Sequence, residues 1–140
     1  MDITLAQANT IIASALQRAT ESGYRPMAVV VLDASGHTRS AQRQDGASMF
    51  RIDIATGKAW ASIAMGAASR VLTQRAKDLP AFFGALAATG NGKFIPQTGA
   101  VLIMSADGEV IGAAGASGGS GDEDEAICIA GIEAAGLRSG

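Results

Sequence analysis

One cysteine, Cys128, stands in the 140-residue chain, which excludes an intrachain disulfide and any zinc site built from several cysteines. Aromatic residues are scarce: one Trp, one Tyr and four Phe. Ala, Gly, Val, Ile and Leu must do most of the packing, and such a core brings backbones close together. A monomer of this size held that way is thinly stabilised, so self-association is expected. No apolar run approaches the roughly 18 residues that cross a membrane, and runs such as "AVLIM" suit a buried strand. Excess positive charge is also missing: the net charge is -2, and no basic cluster interleaves with aromatics. Nucleic-acid partners are therefore not expected. The start, "MDITLAQANT", lacks the basic and apolar regions of a signal peptide. A soluble, cytoplasmic protein is the expectation.

What is present is a chain 48% hydrophobic, enough for a core in one domain over residues 1–140. "ITLAQANTIIASALQRATESG" reads as a helix, with Leu5, Ala8, Ile11, Ile12, Ala15, Leu16 and Ala19 on one face. Thr4 and Gln7 have capping-box spacing, and Gly23 is a natural stop. "PMAVVVLDASGHTRSAQRQ" reads as a hairpin: a strand covered on both faces, a "DASG" turn, then a more polar return strand at an edge or pocket. An Ala-rich helix follows, with Ser48 or Asp45 as candidate N-cap. Gly57 inside it suggests close approach of another backbone, and Gly66 ends or bends it. Shorter helices flank Pro80, with Phe82, Phe83 and Leu86 as a candidate lid or interface. Ala100–Met104 and Val110–Ala114 form a second hairpin around "SADG", and a last helix runs from about Asp122 to Ala135. The fold class is α+β, with an antiparallel sheet of about five strands covered by helices.

Chemistry concentrates in "GAAGASGGSGDEDEAICIAG" (Gly112 to Gly131). A glycine turn entering a helix offers amides to an anion. Yet the stretch is not a P-loop, no Lys or Arg follows, and Asp122, Glu123, Asp124 and Glu125 would repel a phosphate. Gly118 and Gly119 instead suit unusual backbone angles, with Ser120 or Asp122 as cap and the acids complementing the helix dipole. Asp124 or Glu125 is the acid expected to turn inward. Lys58 shares a helical face with Ile54, Ala61 and Met65. It either points to a pocket, as base or anion anchor, or snorkels. Arg25, Arg39, Arg43 and Arg51 flank the first hairpin and second helix and bind a carboxylate if they converge. His37 is the sole candidate metal or haem ligand, though it follows a hairpin turn, where exposed polar residues are ordinary. Cys128 reads as a core residue.

Three stretches carry a family resemblance: "MAVVVLDASGHTRSAQRQDGA", "IATGKAWASIAMG" and "GEVIGAAGASGGSGDEDEAICIAGI". Together they resemble the GlcG/HbpS-like, or haem-degrading-type, family, which includes the C-terminal domain of PduO-type corrinoid adenosyltransferases. The most specific element is carried by Gly112, Gly115, Ala116, Ser117, Gly118, Gly119, Asp124, Glu125, Ala130 and Gly131. The resemblance implies a profilin-like sandwich of helices around an antiparallel sheet, and homo-oligomers from dimers to octamers. It also implies haem as a cofactor in some members. One departure stands out: "PQTGAVLIM" keeps Gly99 after Thr98 but lacks the family's following proline.

Three functions follow as expectations. The first is binding of a small molecule, haem or another planar carboxylated metabolite. Arg25, Arg43, Arg51 and Lys58 would meet the acid groups. Phe50, Phe94 and Met104 would meet the apolar part, and Thr98, Gly99, Ser117, Gly118 and Gly119 would line the pocket. The second is acid/base catalysis on a small carboxylate by Lys58 with Asp124 or Glu125. The third is a ligand-free oligomeric accessory module.

Overall fold

A computed structural model describes all 140 residues. The first helix, α1 (Leu5–Glu21), opens on the expected capping box: Thr4 Oγ1 accepts the Gln7 N–H, and the Gln7 side chain accepts the Thr4 N–H. Its inward face carries Ala8, Ile11, Ile12, Ala15 and Ala19, while Leu5, at the rim, is exposed. The first hairpin is β1 (Ala28–Asp33) and β2 (Thr38–Arg43). Three helices follow, α2 (Phe50–Met65), α3 (Ser69–Asp78) and α4 (Pro80–Thr89). The second hairpin is β3 (Ala100–Met104) and β4 (Val110–Ser117), then α5 (Gly121–Ala134) and a short β5 (Arg138–Ser139).

All strands pair antiparallel, in the order β2-β1-β4-β3-β5. This is the α+β architecture expected. β1 lies inside the sheet and is buried along nearly its whole length, whereas β2 is an exposed polar edge. Alternation along the inner strands splits the core in two. Val29, Val31, Val101, Ile103, Ala114 and Ala116 pack under α1 and α5. Val30, Leu32, Ala100, Leu102 and Ala113 face Ala55 and Ala59 of α2. Small residues set the layer spacing. A Cβ at Gly115 would strike the Ala55 carbonyl of α2, and one at Gly131 the Ile11 carbonyl of α1.

Four details differ from the sequence reading. β4 runs three residues further, to Ser117, because Gly115–Ser117 pair with Val30–Ala28. β5 was not foreseen, since a two-residue edge strand carries no periodicity. The α2 N-cap position is Met49, in helical conformation, and no side chain caps it. Ser48 and Asp45 therefore give α2 no side-chain cap, although the Ser48 carbonyl accepts the Arg51 N–H at 3.1 Å. Gly57 accommodates the Ile95 side chain, whose Cδ1 would lie 2.5 Å from an added Cβ, with the Lys93 carbonyl at 3.0 Å. Gly66 ends α2 in the left-handed conformation, as expected.

Candidate functional site

The glycine-rich stretch is the exit of β4 into α5, and each of its residues is held by another element. The Ala116 N–H donates to the Gly99 carbonyl, and the Ala116 carbonyl accepts from Lys58 Nζ at 3.1 Å. Ser117 Oγ accepts from Arg51 Nη1 at 3.1 Å. Gly118 lies against the Pro26 carbonyl and Met27 so closely that no Cβ could stand there. The Gly119 N–H donates to Asp124 Oδ1 at 2.9 Å. Ser120 then caps α5, its hydroxyl accepting the Glu123 N–H while the Glu123 carboxylate accepts the Ser120 N–H.

Lys58 neither lines a cavity nor snorkels. It is 6% exposed, and its ammonium meets Asp124 Oδ2 at 3.0 Å, with Asp124 2% exposed. Gly99 packs on this pair, since a Cβ there would lie 2.7 Å from Lys58 Nζ. Asp124 is thus the acid that turns inward. Glu125 and Asp122 instead grip Arg70 of α3, and that contact holds the guanidinium above its ordinary range. Cys128 lies beneath the Lys58–Asp124 pair, facing the Gly99 carbonyl, and burial pushes its thiol up, far from a thiolate at neutral pH.

Beside this exit opens a cleft of about 180 Å³, walled by Arg25, Gly46, Ser48, Arg51 and Gly118. Its two arginines have no carboxylate partner; the ion pairs of the chain involve other residues. The uncapped start of α2 adds partial positive charge at the same place. Met49 and Phe50 stand at the rim, 79% and 62% exposed. Arg43 donates to the Ala47 carbonyl and shapes the loop. It also borders a larger, open and mostly polar groove of about 580 Å³ with Leu16 and Tyr24, and Pro26 belongs to both depressions.

The other sequence candidates lie elsewhere. Phe94 is buried with Ala61, Leu72 and Phe83 under α3 and α4. Thr98 meets Thr73 of α3 at 3.1 Å. His37 sits 81% exposed in the β1–β2 turn, 3.8 Å from Asp33. β1 runs from Ala28, beside Ser117, to Asp33, so His37 and the cleft are at opposite ends of a six-residue strand, about 20 Å apart.

The family model "Haem degrading protein HbpS-like" matches residues 3–133. The chain belongs to the HbpS-like family. It is 27% identical over 139 residues to the corrinoid adenosyltransferase PduO of Citrobacter freundii, a match covering 99% of this chain and 41% of PduO. The structure of a PduOC:haem complex superposes with a TM-score of 0.87 at 27% identity, covering 100% of this chain and 98% of that one. The structure of HbpS superposes at 0.82 and 25% identity, covering 95% and 89%. Within this HbpS-like chain, sequence reasoning paired Lys58 with Asp124 or Glu125 only as a catalytic base and acid acting on a ligand. It missed that Lys58 and Asp124 bond each other directly in the interior, because the partners are 66 residues apart. It also left out Gly46 and Ser48 as cleft walls, whose only signal was the Asp45-Gly46-Ala47 turn.

Proposed function

We propose that the chain binds a small carboxylated molecule in the cleft between Arg25 and Arg51, and that haem, bound through its acid edge, is the first ligand to test. The observation that carries this reading is the pair of arginines, Arg25 and Arg51, that line one cleft without carboxylate partners. Their planar forks match a carboxylate bidentately. The start of α2, which has no side-chain cap, favours the same charge, and Met49 and Phe50 offer exposed apolar surface next to Ser48 and Arg51 in the chain. Membership of the HbpS-like family and the haem complex of PduOC support the choice of probe.

Haem fits this site in part. Arg25 and Arg51 suit its propionates, and Phe50 its flat face. The iron finds no histidine, since His37 stands at the far end of β1. The cleft, at about 180 Å³, is also smaller than the roughly 300–1,000 Å³ of pockets that enclose a ligand. The acid edge is therefore the part that Arg25 and Arg51 of this protomer would hold. Acid/base catalysis by Lys58 has less support, since its ammonium is buried and spent on Asp124 and Ala116.

Titrating haemin while following its Soret band, with iron-free protoporphyrin IX in parallel, tests the reading. Both porphyrins should saturate. Arg25→Ala with Arg51→Ala should weaken each by about tenfold or more, and His37→Ala should change neither. Loss of binding in His37→Ala with the arginine variant unaffected would overturn it.

A further inference from the structure

We propose that Lys58 and Asp124 are positioning residues of the cleft: they fix the exit of β4 so that Ser117 and Gly118 present a wall to Arg51 and Arg25. Affinity, one arm of the test below, rests on the binding reading above; the geometric arm does not. Over Ala116 to Gly119 the chain finishes β4 and leaves the sheet, and the buried pair grips both ends of that segment. Lys58 Nζ holds the Ala116 carbonyl at 3.1 Å and Asp124 Oδ1 holds the Gly119 amide at 2.9 Å, while the ammonium and carboxylate meet at 3.0 Å. Between the ends, Ser117 receives Arg51 and Gly118 closes the cleft. Neither charged group borders any cavity of the molecule, so both act on the ligand only through this backbone.

A buried ion pair is weak evidence for stability, because apolar residues of similar volume often serve as well. It is better read as a geometric device: the carboxylate satisfies an amide and an ammonium at once, and Gly99 leaves the space that the ammonium occupies. The contact also brings together the "GKA" of α2, the "SGG" of the turn and the "DE" of α5.

Two double variants separate pinning from stability. Lys58→Met with Asp124→Leu removes both backbone contacts. Lys58→Met with Asp124→Asn removes the charges but keeps an acceptor for the Gly119 amide. Amide hydrogen exchange at Gly119 should accelerate about tenfold or more in the leucine variant, stay near wild type in the asparagine variant, and be unchanged in both for Val30. Haemin affinity should fall in both, about tenfold with leucine and less with asparagine, because both lose the Lys58 contact to Ala116 while asparagine keeps the Gly119 end. A lower melting temperature with unaltered Gly119 exchange and affinity would overturn the proposal. If wild type binds no haemin, the binding reading fails, and Gly119 exchange alone decides this one. Should the leucine variant not fold, Gly99→Ala decides: its Cβ would displace Lys58 Nζ, 2.7 Å away, and unchanged Gly119 exchange there would overturn the proposal.

Discussion

Gly118 has no room for a side chain: its backbone passes against the Pro26 carbonyl with a φ of 154°. Because backbone blocks it, the contact cannot relax as a flexible side chain would. Gly118→Ala should therefore cost about 2 kcal/mol or more, read as a shift in urea midpoint at unchanged m-value. Lys58→Met alone should cost about 3–5 kcal/mol, because it strands a buried carboxylate; a cost below about 1 kcal/mol would mean that Asp124 finds solvent. Asp33 supplies a pH signature. Partial burial alone would raise its pKa, but the N–H groups of His37 and Ser35, with the charges of His37 and Arg39, outweigh that and lower it. A lowered carboxylate stabilises the fold fully above its ordinary pKa and ceases to do so as pH falls through the folded value. Asp33→Asn should thus be less stable than wild type at neutral pH, and the gap should narrow in melting scans taken from pH 5 towards pH 3.

At the scale of elements, the helix starts divide into capped, α1 and α5, and uncapped, α2, α3 and α4. Thr4 and Ser120 each complete a capping box, whereas α2 begins without a side-chain cap beside the cleft. Ser120→Ala should cost about 1 kcal/mol; Ser48→Ala, by contrast, should stay within about 0.5 kcal/mol, both read by chemical denaturation. Equal losses would mean that Ser48 caps α2 after all. The capping boxes were legible in sequence because both partners lie within one turn. So were both hairpins, whose turns "DASG" and "SADG" join apolar runs. The missing cap of α2 was not legible: Ser48 and Asp45 are good caps by type, and only the helical conformation of Met49 excludes them. The same limit hid the Lys58–Asp124 contact, which depends on how α2 and α5 meet across the end of β4.

For the whole molecule, the Ala- and Gly-rich core expected from the scarcity of aromatics is the one observed, with helices set close to the sheet at Gly115 and to each other at Gly131. No helix is long and apolar enough to cross a membrane. Large apolar side chains remain outside: Met49 and Phe50 by the cleft, Leu79 and Phe82 around the start of α4. Self-association should cover some of them. Sedimentation is expected to give a mass well above the 14.1 kDa of one chain, and charged substitutions at Phe50 or Phe82 should lower it. A monomer at all concentrations would leave the rim of the cleft open to solvent and weaken the case for a flat ligand there.

Amide chemical-shift mapping with protoporphyrin IX reads out the place of binding. The shifts should cluster at Arg25, at Gly46 to Arg51 and at Ser117 to Gly119. A cluster around His37, or around Trp60 and Phe94 with the cleft silent, would contradict it.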